Sequence, residues 1–311
     1  MSNQQPLLGF LFSCVSVVMW GALPLAVQQV IQGMDAQTLV WYRFVIAGIG
    51  LLLILGPSRK LPKLSKIPRG YIWLILIGSC ALCANFFLFN LALEHIPPTT
   101  SQIFGPFSSF LMLLAGVFIF KEVIGVHQKI GFLIVVCGLL LFFNDRLLAF
   151  QQFDDYMWGI LLAMSASLIW NAYGIPQKIL LKRLSSQQIL IIVYVICALI
   201  MTPTSTPTQA LELNFFQLCC FIFCCLNTLI AYGCYAEALN RWEVAKVSVM
   251  MTQIPVCSLL LSLICHSLYP QIFPAVTYNS ITYIGALVVV CGAMLSTVGH
   301  KLFKPKGKKT F

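Results

Sequence analysis

Long runs of hydrophobic residues, separated by short polar segments, extend through almost the whole chain. A transmembrane helix needs about 20 consecutive, predominantly apolar residues. Ten runs reach or approach this length, although the seventh is short and the ninth contains Pro255. The runs cover residues 7–28, 36–56, 70–93, 98–120, 128–144, 157–177, 187–202, 213–239, 247–266 and 281–300. The pattern therefore predicts an all-α, polytopic membrane protein with ten transmembrane helices.

The composition agrees with this prediction and excludes several other classes of protein. The 311 residues are 59% hydrophobic and only 9% charged, and the mean hydropathy is +0.91. Ordinary soluble domains contain about 25% charged residues, so a soluble enzyme, a nucleic-acid-binding domain and a disordered protein are excluded. An outer-membrane barrel is excluded because its alternating strands give a much weaker hydropathy signal.

The positions of the basic residues predict the orientation of the helices. All of the 19 Lys and Arg residues except Arg43 and Arg146 lie at or between runs 2 and 3, 4 and 5, 6 and 7, or 8 and 9, or after run 10. Because Lys and Arg in short loops mark the cytoplasmic side, both termini are predicted to be cytoplasmic, with the helices crossing the cytoplasmic (inner) membrane. The net charge of +10 is then an orientation signal. We interpret the basic tail, residues 301–311, as contacting anionic lipid headgroups and not nucleic acid.

Several short motifs recur in the same order in the two halves of the chain. The matching pairs are segments 9–20 (GFLFSCVSVVMW) and 159–170 (GILLAMSASLIW), Gln37 and Gln187, Ser101-Gln102-Ile103 and Thr252-Gln253-Ile254, and segments 131–138 and 285–292. They divide the chain into a first repeat, residues 1–148, a second repeat, residues 149–300, and the tail. Since five helices are an odd number, the repeats must have opposite topology. Inverted repeats are a recurring plan for secondary transporters, whose substrate site lies at the repeat interface.

The ordered motifs resemble those of the bacterial EamA-type transporters, the ten-helix members of the drug/metabolite transporter superfamily. The motifs that carry the resemblance are Trp20-Gly21 with Pro24, Tyr42-Arg43-Phe44 with Ala47, Ala92-Leu93, Lys121-Glu122 with Gln128 and Gly131, Trp170-x2-Tyr173, Ala238-Leu239, and Gly285 with Gly292. The chain departs from the family pattern at Ser109, where the family tends to have Pro, and Pro106 lies one turn earlier. The second half also lacks the Glu that follows the ninth helix, so a mechanism with two symmetric carboxylates is not expected.

The resemblance implies a secondary transporter that exports small metabolites, such as amino acids, related compounds or toxic analogues, by alternating access through a central cavity. Two alternatives stay open, namely an uptake permease of the same fold and a membrane scaffold without transport. The proton is a candidate coupling ion, and the sequence does not indicate the substrate or the oligomeric state.

Two charged residues lie inside the apolar runs and not at their extreme ends, where charge is costly and calls for a functional explanation. Arg43 lies about two turns into run 2, and we interpret it either as the counter-charge of a substrate carboxylate or as a buried structural cation. Glu237, near the end of run 8, is four residues before Arg241. This spacing favours an ion pair on one helix face, and the alternative is a proton-coupling carboxylate.

Uncharged polar and aromatic residues in the runs are the other candidates for the cavity. Amide side chains in membrane helices usually hydrogen-bond between helices, but Gln102 and Gln253 match between the repeats and precede Pro106 and Pro255. A proline frees a backbone carbonyl one turn back, which can face a ligand. Trp20 and Trp170 also match, and we interpret them as stacking surfaces or as packing residues. The remaining cavity candidates are Pro24, Tyr42, Asn85, Asn90, Asn171 and Tyr173.

No residues in the sequence favour catalysis, a metal or a cofactor. The phosphate-binding pattern G-x4-GK[ST] is missing, and the four His residues are scattered near the ends of runs. The 13 Cys residues include Cys219, Cys220, Cys224 and Cys225, but all lie in apolar runs, where thiolate ligands would have to ionise in hydrocarbon. We therefore interpret them as small apolar packing residues and expect neither an enzyme nor a metal site.

Overall fold

In the computed structural model, the described residues are 5–62, 68–105, 125–144, 154–242, 247, 250–274 and 278–298. Within these ranges the regular structure is helical. The helices are α1 (Pro6–Val30), α2 (Ala36–Leu55), α3 (Arg69–Ala92), α4 (Pro98–Gln102), α5 (Val126–Phe142), α6 (Asp155–Leu180), α7 (Ser186–Met201), α8 (Phe215–Arg241), α9 (Ile254–Leu268) and α10 (Ser280–Val298). Two short 3₁₀ helices, Thr202–Thr204 and Pro207–Leu211, connect α7 to α8.

Six of these helices, α1, α2, α3, α6, α7 and α8, are long and apolar enough to cross a membrane, and α5, α9 and α10 are shorter apolar helices. The all-α, polytopic fold predicted from the hydrophobic runs is thus confirmed. The short seventh run forms a helix with the predicted limits to within one residue, 186–201 against 187–202. Most of run 4, together with Lys121-Glu122 and the basic tail, lies outside the described residues.

Runs 4 and 9 differ from the continuous helices that their hydrophobicity predicts. Helix α4 ends at Gln102 and a turn follows at Ile103, and α9 begins only at Ile254, after a turn at Thr252 and Gln253. In the sequence, Pro106 and Pro255 come directly after these turns. Proline lacks the N–H for a hydrogen bond to the preceding turn and restricts the residue before it. In each half, a break in the helix thus lies at the matching glutamine, Gln102 or Gln253, and a proline follows within four residues.

The helices pack mainly in pairs that join the first half to the second. Helix α1 packs along α8, α2 along α7, α3 along α6, and α5 along α10. The partners in each pair are antiparallel. For example, His95 just after the end of α3 contacts Asp155 at the start of α6, and Gly78, closer to the start of α3, faces Pro176 near the end of α6. If each helix of the first half corresponds to the helix five places later, the pair of α1 and α8 corresponds to the pair of α6 and α3, and each of the other two pairs corresponds to itself. Two related halves would show this symmetry.

Glycines allow the closest approaches between paired helices. A Cβ atom at Gly285 in α10 would lie 2.8 Å from the backbone oxygen of Gly138 in α5, and one at Gly292 would lie 2.8 Å from that of Gly131. Small residues at such crossings let membrane helices pack backbone to backbone. The two matching glycine segments therefore pack against each other across the interface of the two halves.

A cluster of buried side chains fills one end of the bundle, where α1 ends and α2 begins. We call this end the outer end, since the positive-inside rule predicts that it faces away from the cytoplasm. The cluster, called the outer apolar cluster below, consists of Leu23, Val27, Val30, Met34, Leu39, Leu93, Phe221, Cys224 and Cys225. It joins α1, α2, the end of α3 and α8, so that helices from both halves meet there.

Candidate functional site

Arg43 is buried in the centre of the bundle and joins three helices. Its side chain is only 2% exposed. The Nε atom donates a hydrogen bond to Oγ1 of Thr228 in α8 at 3.1 Å, and Nη1 donates to Oδ1 of Asn90 in α3 at 3.4 Å. The guanidinium carbon lies 4.5 Å from the ring centre of Phe86, within range of a cation–π interaction. Arg43 thus holds α2, α3 and α8 together.

Within the described part of the chain, neutral groups and no carboxylate bond the guanidinium of Arg43. Among the described residues no Asp or Glu forms an ion pair with it, and its hydrogen-bond acceptors are neutral oxygens. The Nδ2 donor of Asn90, which is fully buried, also finds no acceptor within the described part of the chain. A buried polar group without a partner costs about 1–3 kcal/mol. The site therefore combines an uncompensated positive charge with a spare donor, an arrangement that suits an anion.

The two matching tryptophans, one from each half, converge on a single tyrosine of α8. Trp20 in α1 meets Tyr232 edge-to-face at 5.2 Å between ring centres, and Trp170 in α6 approaches the same ring at 6.4 Å. Tyr235 adds a contact to Trp20 at 5.5 Å, and Tyr173 packs on Trp170 at 5.4 Å. The group formed by Trp20, Trp170, Tyr232 and Tyr235, all of them half-buried, is called the aromatic group below.

Gln102 at the end of α4 caps a carbonyl that a proline has set free. Pro24 in the interior of α1 has no N–H, so the backbone oxygen of Trp20, four residues earlier, lacks its usual helical partner. The Nε2 atom of Gln102 donates a hydrogen bond to that oxygen at 3.1 Å. This freed carbonyl belongs to α1 and is not one of those predicted before Pro106 and Pro255, and a side chain of the protein occupies it.

Gln253, the matching residue of the second half, makes different contacts. Its Nε2 atom lies 3.2 Å from Oγ1 of the adjacent Thr252 and 3.3 Å from the sulfur of Met294, a weak acceptor. Pro255 follows in the first turn of α9, where α1 comes close, since a Cβ atom at Gly21 would lie 3.1 Å from the sulfur of Cys257. The two matching glutamines therefore differ, with only Gln102 holding a backbone carbonyl of α1.

The other predicted site residues lie at helix interfaces or at the surface. Asn85 donates to the backbone oxygen of Ala166 at 2.8 Å and joins α3 to α6, whereas Asn171 donates within its own helix to Ser167. Tyr42 lies at the outer end, where its hydroxyl bonds the carbonyl of Pro207. Asn85 and Tyr42 thus bond residues outside the aromatic group, and Pro106 lies outside the described residues.

The outer end also carries ionisable groups, which lie apart from Arg43. Burial raises the pKa of the Glu94 carboxyl, and the nearby charge of Asp35 adds to this effect while His95 opposes it. The Nδ1 atom of His95 lies 2.8 Å from a carboxylate oxygen of Asp155 at the start of α6. These residues join the outer ends of α3 and α6. Within the described residues, no group of three His, Cys, Asp or Glu could hold a metal ion.

Glu237 forms the ion pair that its spacing to Arg241 predicts. A carboxylate oxygen accepts a hydrogen bond from Nη2 of Arg241 at 2.7 Å, and the two side chains are 36% and 35% exposed. Arg241 also donates to the side chain of Gln5 and lies 5.6 Å from the ring of Phe12 in α1. Glu237 thus belongs to a contact between α8 and the start of α1, and its role in proton coupling stays a prediction.

We expect Glu237→Gln to change export little. Because half-exposed ion pairs contribute only about 0.3–0.5 kcal/mol, the variant should keep its stability, its export rate and any dependence of that rate on the proton gradient. Export would be measured at equal protein amounts with and without an uncoupler. Loss of the gradient dependence in a variant that is normally inserted would instead make Glu237 the coupling carboxylate.

Sequence reasoning missed four residues of the site, namely Tyr232, Tyr235, Thr228 and Phe86. The sequence contains a signal for Phe86 and Tyr232. When the two halves are aligned so that Ala92-Leu93 matches Ala238-Leu239, Phe86 matches Tyr232. No comparable signal marks Thr228. Threonine is common in membrane helices, and only the fold brings this one to Arg43.

A comparison with known families and proteins identifies what the chain resembles. A model of the EamA-like transporter family matches residues 7–144 and again residues 157–298. An uncharacterized transporter of Haemophilus influenzae is 51% identical over 304 residues, which cover 98% of this chain and 99% of that protein. The uncharacterized inner membrane transporter YhbE of Escherichia coli K12 is 40% identical over 311 residues, which cover 99% and 97%.

Among solved structures, one crystal structure superimposes with a TM-score of 0.65 at 18% sequence identity. The superposition covers 96% of this chain and 99% of that chain. At this identity, the likeness shows the fold alone.

Proposed function

Because the chain belongs to the EamA-like transporter family, we propose that it is a secondary transporter that exports small metabolites across the cytoplasmic membrane. Transport itself follows from the family and from the relatives, and direction and mechanism are our proposal. The two halves, residues 1–148 and 149–300, alternate access to a cavity between them, with both termini in the cytoplasm. The inner membrane location of YhbE supports this membrane as the site of transport.

The observation that carries the proposal is the convergence of matching residues from both halves. Trp20 and Trp170 meet at Tyr232, and the helical structure of runs 4 and 9 is interrupted beside the matching residues Gln102 and Gln253. Interrupted helices in corresponding positions of two repeats are the strongest sequence-level indication of a transporter's substrate site. The antiparallel pairing of α1 with α8 and of α3 with α6 supports the predicted inversion of the second half.

Arg43 favours a substrate with a negative charge. A guanidinium that is buried among neutral partners gains most from a carboxylate, which can accept two parallel hydrogen bonds. We assign to Arg43 the role of counter-charge for a carboxylate on an exported metabolite such as an amino acid or a related compound.

A comparison of metabolites in medium and cytoplasm, in a deletion strain and an overexpression strain, tests the function. We expect at least one carboxylate-bearing metabolite to accumulate in the cytoplasm of the deletion strain and in the medium of the overexpression strain. Its transport into proteoliposomes would then be measured with the purified protein. Accumulation with the opposite sign would indicate an uptake permease, and no reproducible change would favour a membrane scaffold.

Trp20→Ala and Trp170→Ala should each lower export of this metabolite about tenfold. A tenfold change corresponds to about 1.4 kcal/mol, the size expected for loss of an aromatic contact surface. Trp73→Ala is the matched control, because Trp73 is 70% exposed on the outside of the bundle and its loss should leave export unchanged. Equal export by all three variants, at equal amounts in the membrane, would remove the aromatic group from the substrate site.

A further inference from the structure

We propose that Arg43, together with Asn90 and Thr228, is the lock of an outer gate. The carboxylate of the substrate opens this gate by accepting hydrogen bonds from the guanidinium in place of Thr228. This inference rests on the proposed function and adds to it how binding is coupled to opening. In the structure the lock is closed, because Arg43 holds α2, α3 and α8 together.

The position of Arg43 between two layers of side chains is the first argument. Along one face of α8, Phe221 and Cys224 belong to the outer apolar cluster, Thr228 accepts the bond from Arg43, and Tyr232 carries the aromatic group. The antiparallel helix α1 repeats this order, with Val27 in the cluster and Trp20 in the aromatic group. One helical turn rises about 5.4 Å. Arg43 therefore binds α8 about one turn from the aromatic group, on the side of the outer apolar cluster.

The second argument is that the bond of Arg43 to Thr228 joins the two halves, whereas its bond to Asn90 lies within the first half. Asn90 belongs to α3 of the first half and Thr228 to α8 of the second, and the outer apolar cluster joins the same helices through Leu93 and Phe221. In an inverted-repeat transporter, opening one side of the cavity moves one half against the other. Opening the outer side must therefore break the bond of Arg43 to Thr228.

The third argument is the unmatched charge. Breaking the bonds of Arg43 leaves a bare buried cation, which is strongly unfavourable. A carboxylate that arrives from the aromatic group can accept hydrogen bonds from the guanidinium and from Nδ2 of Asn90, which lacks an acceptor within the described residues. It thereby replaces Thr228 and neutralises the charge. Binding of an anion thus favours the open gate, whereas the empty transporter stays locked.

Two native cysteines on the outer side of Arg43 report the opening of the gate. Cys224 and Cys225 are 0% and 1% exposed in the outer apolar cluster, and Cys83 and Cys197, at 2% and 0%, lie in the separate core between α2, α3, α6 and α7. Right-side-out membrane vesicles would be treated with a membrane-impermeant methanethiosulfonate sulfonate, and each cysteine would be quantified by mass spectrometry. Labelling of Cys83 and Cys197 reports general unfolding.

Thr228→Val and Asn90→Leu are expected to raise labelling of Cys224 and Cys225 at least threefold while Cys83 and Cys197 stay protected. Thr282→Val is the matched control, since Thr282 is a buried threonine of α10 that bonds Asn144 and Phe142 and not Arg43. Unchanged labelling in both lock variants overturns the proposal, and if export nevertheless depends on Arg43, the proposed function stands without the lock. Raised labelling with export independent of Arg43 keeps the lock and removes the substrate role of Arg43.

The role of the carboxylate is tested in the same vesicles loaded with acetate, benzoate, glutamate or malate, each as the sodium salt. Sodium chloride and the uncharged benzamide serve as controls. We expect at least one carboxylate to raise labelling of Cys224 and Cys225 in the unmodified protein at least threefold, and to have no effect in Arg43→Ala. If none of the four does so, the carboxylate does not open the gate and that part of the proposal is overturned.

Discussion

Export is expected to fall roughly tenfold or more when Arg43 is replaced by alanine. Each factor of ten corresponds to about 1.4 kcal/mol, and this substitution removes the proposed counter-charge. It also leaves Oδ1 of Asn90 and Oγ1 of Thr228 without the donor that they share. The rate of export would be measured at equal amounts of protein in the membrane, with thermal stability of the purified variant as a second readout.

Arg43→Lys separates the charge from the geometry. Lysine keeps the positive charge but lacks the planar fork that lets Arg43 bond Thr228 and Asn90 at once. We expect this variant to insert normally and still to export poorly. Normal export by Arg43→Ala at equal expression would contradict a substrate role for Arg43 and leave it a structural residue.

Gly285→Leu is expected to prevent correct folding. A Cβ atom at this position would lie 2.8 Å from the backbone oxygen of Gly138 and 2.8 Å from the carbonyl carbon of Leu141, both in α5. These are backbone atoms, so α5 and α10 would have to separate. Overpacking by a few atoms already costs about 1–3 kcal/mol, and leucine adds three more carbons. Size-exclusion chromatography of detergent extracts should show loss of the monodisperse protein, and Gly285→Ala should lower the thermal midpoint.

Gly233→Ala is the matched control for the glycine prediction. Gly233 lies inside α8, and a Cβ atom there would meet no atom within 4 Å among the described residues. Alanine in a helix interior is favoured over glycine by about 0.5–1 kcal/mol, so this variant should be at least as stable as the unmodified protein. A Gly285→Leu variant as stable as Gly233→Ala would show that α5 and α10 do not depend on this close approach.

The structure agrees with the sequence where the deciding interaction is local. The pair of Glu237 and Arg241 followed from its spacing of four residues, because such residues are neighbours on any α-helix. The sequence also placed Pro255 inside run 9, and a proline restricts its own turn. The start of α9 at Ile254 was nevertheless missed, because hydrophobicity continues through the turn.

Contacts between helices were predicted only in part. The matching motifs indicated that Trp20 and Trp170 occupy equivalent positions in the two halves. They did not indicate that both rings contact Tyr232. Likewise, Gln102 and Gln253 were expected to act alike, whereas only Gln102 reaches the carbonyl that Pro24 sets free. A repeat in sequence implies similar halves, and the two halves need not hold the same conformation at one time.

The sequence by itself determined the membrane environment and most of the helices, because hydrophobic length is a property of the chain taken segment by segment, and its recurring motifs predicted the repeat. Only the tertiary structure decided the surroundings of Arg43, since Asn90, Thr228 and Phe86 come from two other helices. In hydrocarbon, a charge must be satisfied by whatever groups the packing brings to it. The partners of Arg43 therefore depend on which helix faces meet, and that is set by close packing across the whole bundle.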